Sequence, residues 1–191
     1  MKLLIINGSH IGDGCTAELV ETARAEAEKL GAKAEVVQLA GKEVKFCLEC
    51  GACRSGKCVL KDDVEEILEE MKGADAIIVG SPVFFGGVSG KLKTLFDRTF
   101  PLRRGGFALN GKIGAAIAVG GSRNGGQEGV VSQMHAWMLI HGMVVAGDAP
   151  PTAHFGGIVN ARSPPVDDEV GVETVKNTVK QVIQTLKRMN K

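Results

Sequence analysis

Ala76-Ile77-Ile78-Val79-Gly80-Ser81-Pro82-Val83-Phe84-Phe85-Gly86-Gly87 reads as a buried strand running straight into a turn. Its core, Ala76-Ile77-Ile78-Val79, is apolar at every position, which is the pattern of a strand covered on both faces. Strands of that kind belong to parallel sheets with helices packed on either side. Pro82 and the paired glycines then break the strand and open a loop.

The rest of the chain repeats the alternation. Upstream, residues 2–7 read as a first strand, and Val20, Ala23, Ala27 and Leu30 mark one face of a helix from about Thr16 that Gly31 stops. Residues 34–39 read as a second strand. A helix follows residue 61, with Asp62 as its expected N-cap and Val64, Ile67, Leu68 and Met71 as its apolar stripe. Downstream, a helix from Ser89 to Arg98 buries Leu92, Leu95 and Phe96. Residues 113–119 form a fourth strand, and a helix runs to about His141. Met143–Ala146 is a short fifth strand. Residues 147–166, with four prolines, read as loop, and a last helix spans about 167–189. The expected fold is α/β, a flavodoxin-like three-layer sandwich with a five-stranded parallel sheet in the order 2-1-3-4-5. It forms a single domain over residues 1–191, with a cysteine-rich loop at about 41–61 after strand 2.

Composition narrows the function classes. The formal net charge is +1, with acids and bases interspersed, which argues against a nucleic-acid footprint or a basic membrane patch. The opening run Leu3-Leu4-Ile5-Ile6 is too short for a signal peptide or a membrane span. A soluble cytoplasmic protein is expected. Tyrosine is absent and Trp137 is the only tryptophan, so stacking on a planar ligand falls to Phe, His or backbone.

In a sheet of this order, ligands sit beyond the carboxyl ends of the strands. Three loops should meet there. The first, Asn7 to Thr16, is rich in glycine and hydroxyls and opens a helix. Its amides at Gly14 and Cys15, with the Ser9 and Thr16 hydroxyls, suit a phosphate. It is neither a Walker A loop nor the three-glycine dinucleotide fingerprint. The second, Pro82-Val83-Phe84-Phe85-Gly86, can wall a flat aromatic ligand while loop amides bond its edge. The third runs from Gly120 to Gly129 with five glycines in ten residues. Gly120, Gly121 and Gly126 allow close backbone approach, and Arg123 can offset negative charge.

Four of the five cysteines, Cys47, Cys50, Cys53 and Cys58, fall in a C-x2-C-x2-C-x4-C run. Thiolates at that spacing can wrap the corners of a cubane, with Gly51 easing the turn and Gly56 the return. Lys45, Arg54 and Lys57 flank the loop and offset its charge. A structural zinc also takes four thiolates, though usually as two pairs with a longer spacer. Disulfides do not suit a reducing compartment. Cys15 lies outside the run, and His135, His141 and His154 have no ligand partner at useful spacing. Neither Glu128 nor Asp148 carries an assigned acid–base role.

The three loops together resemble those of the flavodoxin-like NAD(P)H-dependent FMN reductase superfamily over nearly the whole chain. Gly8-Ser9 through Thr16 matches its phosphate loop, Ser81 through Gly86 its isoalloxazine cradle, and Gly120 through Glu128 its third flavin loop. That superfamily commonly has Pro-Arg after Gly-Ser, where this chain has His10-Ile11. The phosphate is then left to hydroxyls, amides and His10. With the compact cysteine run, the chain resembles the iron–sulfur flavoprotein family of anaerobes. The resemblance implies FMN and one 4Fe–4S cluster per chain, with no catalytic side chain. It also implies a ferredoxin or similar one-electron donor, and oxygen, peroxide or another carrier as acceptor. Assembly as a homodimer or homotetramer is expected, with one subunit's cluster near its neighbour's flavin. Two rivals remain: an NAD(P)H-dependent FMN or quinone reductase with a structural zinc, and a non-enzymatic metal-binding interaction module.

Overall fold

Leu3, Leu4, Ile5 and Ile6 are each fully buried in the first strand, β1 (Lys2–Asn7). Successive side chains point to opposite faces. Leu4 and Ile6 therefore join one core and Leu3 and Ile5 the other. In the computed structural model, which describes residues 1–189, β1 lies between β2 (Lys33–Gln38) and β3 (Ala76–Pro82). Beyond β3 come β4 (Ile113–Gly120) and β5 (Val144–Val145), giving the parallel order β2-β1-β3-β4-β5. That order matches the expectation from the sequence.

Helices cover both faces. On one side lie α1 (Cys15–Lys29) and the C-terminal α6 (Glu169–Met189), burying Leu19, Val20, Val175, Val179 and Ile183. On the other lie α2 (Val64–Gly73), α3 (Gly90–Arg98) and α5 (Gln127–Ile140), burying Ile67, Met71, Leu92, Leu95, Val130 and Met134. Each such buried Leu, Ile or Val contributes about 1.5–3 kcal/mol relative to exposure. Among the described residues, no helix is long and apolar enough to cross a membrane.

Three expectations need correction. First, residues 147–166 are not all loop. Gly157–Asn160 forms β6, which pairs with Ile117–Gly120 of β4, while β5 pairs only with Ile113 and Gly114. The fifth position is thus built from two short strands joined by an excursion. Asp148 organises that excursion by accepting hydrogen bonds from the Thr152 hydroxyl and the His154 amide. The flanking prolines masked the short apolar run Ile158-Val159. Second, a further helix, α4 (Phe100–Arg104), follows α3 directly, with Pro101 in its first turn, where no amide hydrogen is needed. Third, the N-cap position of α2 is Asp63, one residue later than expected; Asp62 still accepts from Val64 N–H at 3.3 Å, but its side chain is buried against Arg98.

The α3–α5 contact holds a small polar network. The Thr99 hydroxyl donates to the Phe96 carbonyl at 2.6 Å, so its oxygen accepts from Trp137 Nε1 at 3.0 Å and from His141 Nε2 at 2.8 Å. The hydrogen of His141 is therefore on Nε2, and its buried Nδ1 has no partner among the described residues. Burial, and then the nearby Arg103 charge, push the His141 pKa down to about 4. Burial lowers His135 as well. Above pH 6.5 both the unfolded and folded chains keep His141 neutral, and its contribution is complete. Between about 6.5 and 4 the unfolded chain takes up a proton that the folded chain refuses, and stability falls. The loss at His141 is on the order of 3 kcal/mol. Thermal unfolding from pH 7 to 4.5 should show a smaller fall for His141→Gln than for wild type. Equal falls would refute the assignment.

Candidate functional site

The carboxyl ends of β1, β3, β4 and β6 open onto one hollow of about 870 Å³. Ser9, His10, Gly14, Cys15 and Thr16 line it from the first loop, and Pro82, Val83 and Phe84 from the second. Gly121 and Ser122 come from the third, and Ala161 to Pro164, after β6, form a fourth wall.

The first loop is held from below. Gly8 N–H donates to the Gly80 carbonyl at 2.7 Å, and the Ser89 hydroxyl donates to the Gly8 carbonyl. A methyl group on Gly8 would lie 2.7 Å from Leu92 Cδ2 and 2.8 Å from the Gly80 oxygen. Glycine is therefore required for the loop to sit this low. Asn7 Oδ1 accepts from Ser9 N–H at 2.9 Å and Ser9 Oγ from Ile11 N–H at 3.1 Å, which fixes the turn. The loop then enters α1 at Gly14 with no side-chain cap. The first-turn amides are left for a ligand, beside the buried hydroxyls of Ser9 and Thr16. Glu18, the acid of that first turn, is occupied elsewhere: both its oxygens accept from Val166 N–H at 3.1 Å. Burial and the Glu18 charge raise the Cys15 thiol pKa, so this half-buried thiol stays protonated near neutrality.

The second loop is a tight turn. Phe84 and Gly87 exchange backbone hydrogen bonds of 2.9 and 3.0 Å, and Phe85 and Gly86 at the tip both have positive φ. Phe84 stacks on His10, with ring centres 5.4 Å apart and planes within 9°. Phe85 is fully exposed and, like Gly86, does not line the hollow. Gly126, at φ 100°, lets the third loop touch the second: a methyl group there would lie 3.2 Å from Gly86 Cα. Gly120 is packed under Gln127, whose amide donates to the Ser122 carbonyl at 2.8 Å. Arg123 lines a neighbouring hollow of about 380 Å³ and not the main one.

Arg162 was not expected. It lies on the fourth wall, where its Nε donates to the Gly121 carbonyl at 2.7 Å and its guanidinium borders both hollows. It is a cation beside the loop that lacks the usual arginine. No period or spacing marked it, because its segment read as proline-rich linker.

The cysteine loop forms a separate hollow of about 540 Å³. All four cysteines line it, with Leu48, Leu60, Asp97 and Phe100. Cys53 lies in a short 3-10 turn, Ala52–Ser55, entered through Gly51 and left through Gly56, both at positive φ. Burial, and then the neighbouring Cys58, Cys47 and Cys50, raise the Cys53 thiol pKa. Among the described residues, no three His, Cys, Asp or Glu side chains converge as ligands of a single ion would. The four thiols surround a space instead. Among the described residues, none lines both hollows.

The neck of this loop is clasped. Asp63 accepts from Glu43 N–H at 2.6 Å, and Asp62 accepts from Lys45 N–H at 2.9 Å. Arg98 grips Asp62 with Nη1 at 2.7 Å and Nη2 at 3.1 Å, and Nη1 also donates to the Lys45 carbonyl at 2.8 Å. Both side chains are buried. Lys45, expected to offset cluster charge, is turned to the neck, where its ammonium donates to the Lys61 carbonyl. The buried cation beside the cysteines is Arg98. Its position three residues beyond Leu95, on the inward face of α3, was the available signal.

A parallel sheet in this order, with loops converging beyond its carboxyl ends, defines a flavodoxin-like protein. The fold resembles that of a solved archaeal flavodoxin, with a TM-score of 0.62 at 20% identity, covering 98% of this chain and 99% of that one. Residues 1–156 match the family model of NADPH-dependent FMN reductases. The chain is 47% identical to an iron–sulfur flavoprotein of Methanocaldococcus jannaschii, over the full length of both. It is 45% identical to one of Methanosarcina thermophila, covering 100% of this chain and 98% of that protein. The chain belongs to the NADPH-dependent FMN reductase family, and within it to the iron–sulfur flavoproteins.

Gly8→Ala tests the seating of the first loop. It should cost about 1–3 kcal/mol in stability, since the Gly80 backbone cannot yield, and should weaken flavin binding. Unfolding and flavin titrations matching wild type would contradict this packing.

Proposed function

We propose that this chain is an electron-transfer flavoprotein that holds FMN in the larger hollow and a 4Fe–4S cluster on Cys47, Cys50, Cys53 and Cys58. One observation carries the reading: four thiols rim a single hollow on a chain whose sheet ends in an uncapped helix and a flat-walled cleft. The donor set fits a cluster that takes one thiolate per iron. When bound, the two groups supply electron transfer in steps of one or two electrons.

The chain's own residues bind and orient. The phosphate is taken by the first-turn amides of α1 and the Ser9 and Thr16 hydroxyls, and Arg162 supplies the missing positive charge. Pro82, Val83 and Phe84 form one wall of the ring site, with Gly121 opposite. Gly86, Gly120 and Gly126 let the loops approach, while Phe85 and Arg123 stand at the rim. No side chain is required to move a proton. A ferredoxin-like protein serves as donor, and oxygen, peroxide or another carrier as acceptor. Exposed Phe46, Leu48 and Phe100, beside the cysteines, suit a second copy of the chain.

Anaerobic reconstitution should give iron, acid-labile sulfide and flavin in the same protein, with flavin bands over a broad bleachable absorption. Protein holding zinc and no sulfide, and reduced directly by NAD(P)H, would instead support the reductase reading. Arg162→Ala should weaken FMN binding roughly 10- to 100-fold, the worth of a charge-assisted hydrogen bond, and leave riboflavin binding unchanged. If both ligands weaken alike, Arg162 does not serve the phosphate.

A further inference from the structure

Arg98 has three nitrogens and five N–H groups. Nη1 and Nη2 are engaged by Asp62 and the Lys45 carbonyl. Nε is buried and has no partner among the described residues. A buried cationic N–H without an acceptor is costly, on the order of 1–3 kcal/mol or more. Arg98 and Cys58 line the same cavity of about 90 Å³, against Pro101 and Leu102. The cavity's other acceptors, the exposed carboxylates of Glu65 and Glu69, are paired with Lys61 and Lys72, which leaves the Cys58 sulfur as the acceptor for Nε.

We propose that Arg98 is a positioning residue for Cys58: its free Nε–H donates to the Cys58 sulfur when that sulfur is a cluster ligand, holding the ligand in place and raising the cluster's reduction potential. This rests on the iron–sulfur reading above. An N–H···S bond and a buried positive charge both favour the more negative, reduced cluster, and hydrogen bonds to sulfur are among the levers that set such potentials. Asp62 fixes the guanidinium by its bidentate grip, so the donor is preorganised. The same arginine then closes the loop's neck and reaches its last ligand.

The test uses anaerobically reconstituted holoprotein. Iron and sulfide per chain are measured alongside the fraction of cluster reduced at fixed applied potentials. Three variants separate the roles. Arg98→Lys keeps a cation for Asp62 but loses the planar fork. Asp62→Asn keeps the donor to Cys58. The double variant Asp62→Asn/Arg98→Gln removes both charges, so none is left buried alone. The reduced-to-oxidised ratio should fall roughly tenfold in Arg98→Lys and in the double variant, which is about 59 mV for a one-electron couple. Asp62→Asn should not lower the ratio, because it keeps the donor and removes a buried negative charge. In wild type carrying guanidino-15N arginine, the reduced cluster should show a hyperfine coupling to a guanidinium nitrogen, which needs no variant to fold. An unmoved ratio in Arg98→Lys and the double variant, an equal fall in Asp62→Asn, or no 15N coupling would each overturn the proposal. Wild type without iron and sulfide would overturn the iron–sulfur reading itself, a result distinct from a cluster whose potential does not move.

Discussion

The buried pair of Asp62 and Arg98 is the contact on which the cysteine loop depends. A carboxylate and a guanidinium taken out of water are tolerated only when their hydrogen bonds are nearly all made. Here the demand is met from the loop itself: the Lys45 amide and carbonyl, at one end of the segment, bond to the pair. Asp62 stands at the other end, and Arg98 comes from α3 of the core. One desolvated pair thus ties both ends of a long irregular segment to the sheet's helical layer. Removing one partner of such a pair typically costs about 3–5 kcal/mol, because the other charge is left buried. The cysteines between the ends need little further support from secondary structure. A single 3-10 turn is all the regular structure they have.

The larger hollow is built on a different principle. Its floor is the row of strand ends, and its precision comes from places where side chains are missing. Gly8 lies against Leu92 and the Gly80 carbonyl, and Gly126 lies against Gly86. Close backbone approach turns strand ends into a narrow cleft lined by loop backbone and by the polar side chains of Ser9, His10, Asp13, Thr16 and Ser122. Charge is then added sparingly. Glu18 is drawn off to the Val166 amide, and Arg162 is pinned by the Gly121 carbonyl. Glu18 in its first turn and Asp13 beside the cleft thus offset only part of the helix's positive end.

Much of this could be read from the chain. Runs such as Leu3–Ile6 and Ala76–Val79 are apolar throughout, so strand identity and the doubly covered sheet followed from local pattern. The cysteine spacing and the three loops were equally local. What escaped reading depends on contacts between distant residues. β6 has only two consecutive apolar residues, and it is a strand because β4 is there to pair with it. Arg162 becomes a site residue only when β6 brings it beside Gly121. Asp62 looked like a cap because it precedes a helix, and besides the Val64 amide it binds a guanidinium 36 residues away. Phe84 and Phe85 are adjacent and chemically identical. The turn's positive φ values send one toward His10 and the other to solvent.

The divided fifth strand has a consequence for the sheet as a whole. A long exposed edge offers its unpaired amides and carbonyls to any passing strand and invites aggregation. On this side, the edge is broken after two residues, bulges outward through Gly147 to Gly156, and resumes for only four. On the far side, β2 carries Lys33 and Glu35, and Glu35 is bridged to both Lys2 and Lys33. Neither border presents a smooth uncharged ribbon. A sheet whose interior strands are almost wholly apolar is thereby protected from growing by recruitment of other chains.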